Sequence, residues 1–135
     1  MTESILYWAV LWGSIYNVDP SLVLSVIQVE SDYKADAIGA HGEVGLMQLR
    51  PKFFGKKKDL LNPEINIKLG VEHLAKMKIQ CKHKVDRLYV VCFNAGVNNG
   101  SKIKKPRDFQ YYKKIMKAYH RIKQEAPCLK SCRIR

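Results

Sequence analysis

One acidic side chain is predicted to lie on the apolar face of a helix. The pair Asp19-Pro20 has the pattern of an N-cap followed by proline at the first helical position, and it predicts a helix over residues 20–31. Glu30 lies four positions after Val26 and therefore on the same helical face. Burial and the carbonyl dipoles of the last helical turn both raise the pKa of a carboxyl group. Glu30 could then donate a proton near neutral pH, unless the helix end frays and the side chain faces solvent.

Further short sequence blocks accompany this glutamate. In chain order they are Glu30-Ser31, Gly45-Leu46-Met47-Gln48, Phe93-Asn94-Ala95-Gly96 and Tyr111-Tyr112. In order and spacing they resemble blocks of the catalytic domain of the soluble lytic transglycosylases, a family with a goose-type lysozyme-like fold. The resemblance covers roughly residues 18–120. It implies a saccharide-binding cleft and cleavage of the β-1,4 bond between N-acetylmuramic acid and N-acetylglucosamine in bacterial peptidoglycan.

The resemblance also implies roles for individual residues around the scissile bond. Glu30 matches the sole essential acid of the family, which protonates the glycosidic oxygen. Tyr111 matches a late tyrosine whose hydroxyl approaches that acid, whereas Tyr112 falls on the apolar stripe of its helix and is assigned to the core. Ser31 matches a residue beside the acetamido group of the sugar, although a polar residue that simply ends a helix is the alternative.

Three more positions are expected to contact the glycan. Gln48 matches an amide that faces the catalytic region, Asn94 matches an asparagine near the sugar, and Met47 matches a groove residue, although a methionine there could equally belong to the core. Two positions depart from the family. Phe93 replaces a tyrosine and so lacks its hydroxyl, and Glu43 stands where a small residue is common, for which we favour a surface role.

A mechanism with one carboxyl group fits these residues better than one with two. Ordinary glycosidases use an acid together with a second carboxylate. Asp32, Asp36 and Glu43 do not share the helical stripe of Glu30. The resemblance implies that the 2-acetamido group of the substrate acts as nucleophile and that Glu30 serves as acid and then as base, giving a 1,6-anhydromuramyl product without a metal or organic cofactor. A hydrolytic muramidase, in which one of the other acids positions water, is the alternative.

The apolar periodicity is helical nearly throughout the chain and predicts a compact all-α, lysozyme-like fold of about five to seven helices. We expect one domain over residues 1–135. The predicted helices cover 3–17 (largely buried), 20–31, 63–80, 86–95 and 106–124, with a short helical segment near 45–50 that Pro51 limits.

The positive charge is concentrated at the C-terminal end. The chain carries a net charge of +12, and residues 101–135 hold twelve basic and two acidic side chains. Such a segment favours a polyanionic partner, and we expect anionic polymers of the bacterial envelope beside the glycan strands. A basic helical module that binds nucleic acid would explain the charge, but it would not explain the four sequence blocks. No nucleic acid is therefore expected. We expect a monomer.

The four cysteines do not have the spacing of a zinc site. Structural zinc sites combine two close pairs of ligands, and only the last two cysteines are close to each other. Packed thiols and one or two disulfides both remain open. The residues concerned are Cys81, Cys92, Cys128 and Cys132.

The N-terminal sequence leads to an expectation about the cellular setting. The apolar run from Ile5 to Trp12 is too short to span a bilayer, and the first basic residue is Lys34, so a charged secretory n-region is not seen. We therefore expect a bacteriophage endolysin that accumulates in the host cytoplasm and then acts on the cell wall. The alternative is the mature part of a bacterial enzyme that opens the wall for a secretion or conjugation apparatus.

Overall fold

The computed structural model describes residues 1–126 and forms an all-α fold, as predicted. Within this range there are eight α-helices, more than the expected five to seven because three of them are only four or five residues long. The helices are α1 (Glu3–Tyr16), α2 (Pro20–Ser31), α3 (Pro51–Phe54), α4 (Lys57–Leu60), α5 (Pro63–Gln80), α6 (Val90–Ala95), α7 (Val97–Ser101) and α8 (Gln110–Glu125). None of the helices in this range is both long enough and apolar enough to cross a membrane.

Helix α2 runs through the centre of the core. The Asp19 side chain caps it by accepting a 2.8 Å hydrogen bond from the backbone N–H of Ser21, and Pro20 occupies the first turn. Every residue from Pro20 to Ile27 is buried, as expected for a helix that other elements surround. It packs mainly against α8 and also against α1. The helix ends at Ser31, because Asp32 adopts a left-handed conformation with φ 51°.

Helix α1 covers the core with only one face, so the expectation that it is largely buried is wrong. Its buried residues are Ile5, Ala9 and Gly13, whereas Ile15 is 58% exposed. Gly13 permits a close approach at the turn into α2, since a Cβ atom there would lie 2.6 Å from the carbonyl oxygen of Val18. The buried face of α1 lies against α5.

The short helix predicted near residues 45–50 is absent, and a tight loop, residues 43–49, takes its place. Val44 and Leu49 exchange two backbone hydrogen bonds of 2.9 and 3.0 Å, and Gly45 and Gln48 both have positive φ. The fully buried Asn66 holds the loop. Its Oδ1 accepts from the N–H of Met47, and its Nδ2 donates to the carbonyls of Val44 and Leu60. These tertiary bonds satisfy the backbone that a helix would otherwise pair internally.

Two predicted helices begin later than expected. The segment 86–95 starts with a 3₁₀ turn in which Asp86 has φ 49°, and α6 itself begins only at Val90. The segment 106–124 likewise starts with a 3₁₀ turn, and Phe109 is extended, so α8 begins at Gln110. In both cases a non-helical φ or ψ inside the apolar pattern interrupts the helix.

A disulfide between Cys81 and Cys92 joins the end of α5 to α6. This resolves the choice between packed thiols and a disulfide for this pair. Cys128 and Cys132 lie outside the described residues, as does the end of the basic segment. Among residues 1–126, no three His, Cys, Asp or Glu side chains gather closely enough to hold a metal ion.

Candidate active site

A cleft of about 740 Å³ opens beside the end of α2. The tight loop, α3, α5 and the chain from α6 into α7 border it. Its lining combines aromatic rings, amides and a few charged groups. The lining residues are Glu30, Glu43, Gln48, Leu49, Arg50, Phe53, Phe54, His73, Lys76, Met77, Gln80, Phe93, Asn94, Ala95, Gly96, Val97 and Asn99.

Glu30 reaches this cleft from the last turn of α2. The buried stripe of that helix ends beside it, so most of the side chain is withdrawn from water. Burial raises the pKa of Glu30 to about 7, a hydrogen bond from Tyr111 opposes this rise, and the negative charge of Glu43 adds to it. The carboxyl group can therefore gain and lose a proton near neutral pH, which general acid–base chemistry requires.

Tyr111 touches this carboxyl group directly. It lies in the first turn of α8, and its hydroxyl donates a 2.8 Å hydrogen bond to Oε2 of Glu30. Burial, and then the adjacent Glu30, raise the pKa of Tyr111 well above its ordinary value, so this hydroxyl keeps its proton and stays a donor. Tyr112 is buried and instead donates to the backbone carbonyl of Asp86 at 3.0 Å.

Gln48 faces the cleft from the tight loop, and its amide is already held in place. Its Nε2 donates to the carbonyls of Ala37 and Gly45 at 3.1 and 3.0 Å, while its Oε1 lies close to Gly39. A side chain at residue 39 would collide with that oxygen. The amide is therefore fixed in orientation before any ligand arrives.

Glu43 lines the cleft instead of the outer surface, so the surface role favoured from the sequence is wrong. Its Oε1 accepts a 2.7 Å hydrogen bond from the backbone N–H of His41. Among the described residues, Glu30 and Glu43 are the carboxyl groups that line the cleft, and Asp32 and Asp36 do not line it. Any mechanism with two acids would thus have to use Glu43.

Ser31 and Met47 do not line the cleft. Ser31 is buried, and its hydroxyl donates to the carbonyl of Ile27 at 3.0 Å. Met47 is fully buried in the core, with its sulfur against Gly70 of α5. Direct contact between a glycan and the Met47 side chain would require this core to open.

Asn94 and Phe93 of α6 also line the cleft. Asn94 is exposed in α6, and its amide makes no hydrogen bond within the described residues, so it is available to a ligand. Phe93 belongs to an aromatic group centred on His73. The His73 ring lies 5.4 Å from Phe93 and 5.1 Å from Phe54, measured between centroids. Burial, and then Lys76, lower the pKa of His73, which favours the neutral form of its ring.

Helices α5 and α3 contribute to the cleft, which was not predicted from the sequence. His73, Met77 and Gln80 follow one another at intervals of four and three residues, so they share one face of α5. That spacing is present in the sequence, but helical spacing alone does not distinguish a cleft face from a core face. Phe53 had no such signal, because α3 was not predicted. Its ring is 67% exposed at the edge of the cleft.

Comparison with known proteins identifies relatives. The family described as "Transglycosylase SLT domain" matches residues 9–116. An endo-type membrane-bound lytic murein transglycosylase A of Klebsiella pneumoniae is 33% identical over 76 residues, which are 47% of this chain and 37% of that protein. A peptidoglycan-binding-like protein of Escherichia coli O157:H7 is 30% identical over 131 residues, covering 83% of this chain and 75% of that protein.

The fold also has a solved counterpart. The lytic transglycosylase Slt of Pseudomonas aeruginosa, crystallised as an inactive mutant, superposes with a TM-score of 0.72. The sequences are 19% identical, and the match covers 86% of this chain but 23% of that one. The chain thus spans well under half of the Klebsiella and Pseudomonas proteins that it resembles.

Proposed function

Because the chain belongs to the transglycosylase SLT domain family, we propose that it is a peptidoglycan lytic transglycosylase. The reaction is cleavage of the β-1,4 bond between N-acetylmuramic acid and N-acetylglucosamine with release of a 1,6-anhydromuramyl end. The observation that carries this proposal is one carboxyl group with a pKa of about 7, in contact with a tyrosine hydroxyl and facing a cleft.

In the first step Glu30 acts as the general acid. Its protonated carboxyl donates a proton to the glycosidic oxygen while the bond from that oxygen to the anomeric carbon of the muramyl residue breaks. The 2-acetamido oxygen of the same sugar attacks the anomeric carbon and forms an oxazolinium ion. The carboxylate that remains is stabilised by the hydrogen bond from Tyr111.

In the second step Glu30 acts as the general base. The carboxylate takes the proton of the muramyl 6-hydroxyl, and the oxygen attacks the anomeric carbon. The bond to the acetamido oxygen breaks, and the 1,6-anhydro ring closes. Glu30 is protonated again, no water is consumed, and the cycle needs neither a metal nor an organic cofactor.

The remaining cleft residues position the glycan in this proposal. The fixed amide of Gln48 and the exposed amide of Asn94 both line the cleft and can hydrogen-bond to acetamido and hydroxyl groups. Ser31 and Met47 are buried and support the residues that contact the glycan. Ser31 ends the helix that carries Glu30, and Met47 packs under the loop that carries Gln48.

A hydrolytic muramidase is the second candidate, and Glu43 is the observation that favours it. This carboxylate lines the same cleft and could activate a water molecule for attack on the sugar. Hydrolysis would add one water to each new muramyl end. The two candidates therefore differ in the mass of their products.

Mass spectrometry of muropeptides released by the wild type, Glu30→Gln and Glu43→Gln tests both candidates. We expect anhydro products from the wild type and from Glu43→Gln, and a loss of at least about a hundredfold in rate for Glu30→Gln. Undiminished digestion by Glu30→Gln would refute the proposal. Hydrated muramyl ends that disappear in Glu43→Gln would establish the muramidase instead.

The basic C-terminal segment, residues 101–135, steers the protein to anionic envelope polymers in this proposal, and the chain acts as a one-domain monomer. Lys113, Lys114 and Lys117 lie exposed on α8. Replacing all three with glutamine should slow the lysis of whole cells severalfold and leave digestion of purified peptidoglycan unchanged. The triple variant Lys56→Gln, Lys57→Gln, Lys58→Gln is the charge-matched control. Equal effects on both substrates would contradict steering.

We propose that the site of action is the bacterial cell wall. The disulfide between Cys81 and Cys92 favours an enzyme that matures in an oxidising compartment such as the periplasm, as a wall-opening bacterial enzyme would. A phage endolysin remains a candidate setting. It would accumulate in a reducing cytoplasm, so its disulfide would form only after release. Trapping the free thiols of the protein in the expressing cells, before the cells are lysed, distinguishes the two. Free Cys81 and Cys92 thiols are expected for an endolysin, and a disulfide is expected for the bacterial enzyme.

A further inference from the structure

A second pocket, of about 690 Å³, shares helix α7 with the cleft. Helix α7 separates the two cavities. Val97 and Asn99 line the cleft, whereas Asn98 and Ser101, on the same short helix, line the second pocket. A glycan strand bound in the cleft would therefore lie about one helix width from this pocket.

The second pocket is strongly cationic. Lys82, Lys102 and Lys104 line it, and no carboxyl group is among its lining residues in the described part of the chain. Within that part, none of the three ammonium groups donates a hydrogen bond or forms an ion pair. Lys84 nearby differs, because its Nζ donates to the carbonyl of Cys81 at 2.7 Å at the end of α5.

The backbone that carries these lysines is held in place. The N–H of Lys82 donates a 3.0 Å hydrogen bond to Oγ of Ser101, which ends α7. The same Oγ lies 3.6 Å from the sulfur of Cys92 in the disulfide. The disulfide and this hydrogen bond therefore fix Lys82 against the helix that also borders the cleft. Among the described lining residues, no carboxylate balances the three like charges.

We propose that this lysine pocket, formed by Lys82, Lys102 and Lys104, binds carboxylate groups of the peptides attached to the muramyl residues of a glycan strand in the cleft. The proposal rests on the proposed function, since it takes peptidoglycan as the polymer. The muramyl peptides extend sideways from the strand and carry several free carboxylates. A separate polymer with phosphodiester groups would match the charge equally well, but the shared helix α7 favours a side group of the strand already bound.

The test compares two substrates of the same glycan. One is intact peptide-bearing strands, and the other is strands from which an amidase has removed the peptides. The triple variant Lys82→Gln, Lys102→Gln, Lys104→Gln should raise KM for peptide-bearing strands by about eightfold at low salt, because loss of one exposed ion pair changes binding by roughly twofold. KM for the stripped strands should not change. High salt should reduce the difference between wild type and variant.

The control is the triple variant Lys56→Gln, Lys57→Gln, Lys58→Gln, which loses the same charge from exposed residues of α4 and its N-cap. It should behave as the wild type on both substrates. An equal loss on both substrates in the lysine-pocket variant would overturn the proposal. So would a loss seen only on walls that still carry phosphodiester polymers.

Failure of the proposed function would be seen separately. Binding of both kinds of strand to the Glu30→Gln protein, with and without the three lysine substitutions, requires no turnover. A preference for peptide-bearing strands that disappears with the lysines supports the pocket even if the reaction were hydrolysis. Absence of any such preference in the protein with intact lysines overturns it.

Discussion

The hydroxyl of Tyr111 donates a 2.8 Å hydrogen bond to Oε2 of Glu30, joining two residues that are 81 positions apart in the chain. The packing of α8 against α2 brings them together. Burial raises the pKa of the carboxyl group, and this hydrogen bond lowers it, because the bond favours the charged form. The balance of the two leaves a carboxyl group that can serve as acid in one step and as base in the next.

Replacing Tyr111 with phenylalanine removes the contribution that lowers the pKa of Glu30. The pKa should rise, so the alkaline limb of the pH profile of kcat/KM should move to higher pH. The maximal rate should fall by about tenfold or more, because the carboxyl group loses a contact that orients it. The measurement is the rate of anhydro-product release as a function of pH.

Tyr112→Phe is the matched control for that variant. It removes a tyrosine hydroxyl from the same turn of α8, but that hydroxyl is bound to the carbonyl of Asp86 and not to Glu30. Stability should fall slightly and the pH profile should keep its position. A profile that shifts equally in both variants would argue against direct control of Glu30 by Tyr111.

Replacing Glu43 with glutamine should have the opposite effect on the pH profile. The negative charge of Glu43 raises the pKa of Glu30, so its removal lowers that pKa. The alkaline limb of kcat/KM should move to lower pH, and the rate at neutral pH should fall by up to about fivefold, because less of the enzyme carries the proton. Glu64→Gln, an exposed change on α5, should leave the profile unchanged. An unshifted profile in Glu43→Gln would contradict this electrostatic link.

The origin of this site is only partly visible in the sequence. Glu30 was predictable because it continues an apolar stripe in a helix whose N-cap and proline are local signals. The contact with Tyr111 came from a resemblance of sequence blocks and not from periodicity, since the apolar stripe selects Tyr112. Apolar periodicity predicts which face of a helix is buried. A residue at the border between the core and a cleft lies just outside that periodic pattern.

The tight loop was mispredicted for a different physical reason. Its backbone bonds depend on Asn66, which lies about twenty positions away and is fully buried. Local propensity contains no information about such a partner. Because the loop carries Gln48 and Glu43 and leads into α3, the error also hid the place of Glu43 and Phe53 in the cleft.

The pKa of Glu30 also makes stability depend on pH. Its value is about 7 in the folded protein and 4.5 for an ordinary glutamate, so the unfolded chain loses this proton first as pH rises. The free energy of unfolding is therefore unaffected by this group below about pH 4.5 and falls progressively towards pH 7 and above, by at most about 3 kcal/mol.

Glu30→Gln exposes this dependence, because the amide is neutral at every pH. The variant should be more stable than the wild type at pH 8, with a thermal midpoint higher by up to about 10 °C, and nearly equal to it at pH 4. Groups that do not interact with Glu30 titrate alike in both proteins, so the difference between them reports Glu30 and the groups next to it. The comparison is made by thermal unfolding followed by circular dichroism. A constant difference across this range would mean that Glu30 has an ordinary pKa in the folded state.

The disulfide should stabilise both the fold and the cleft. It closes a loop between Cys81 and Cys92, which are 11 positions apart, and replacing both with serine should cost about 2–3 kcal/mol through the greater freedom of the unfolded chain. Phe93 and Asn94 follow Cys92 directly, so turnover should fall together with stability. Denaturant midpoints and peptidoglycan turnover of the oxidised and reduced wild type measure the two effects. Reduced protein that keeps full turnover while losing stability would show that the cleft holds its shape without the bond, because α6 would then be fixed by its packing against α5, α7 and α8.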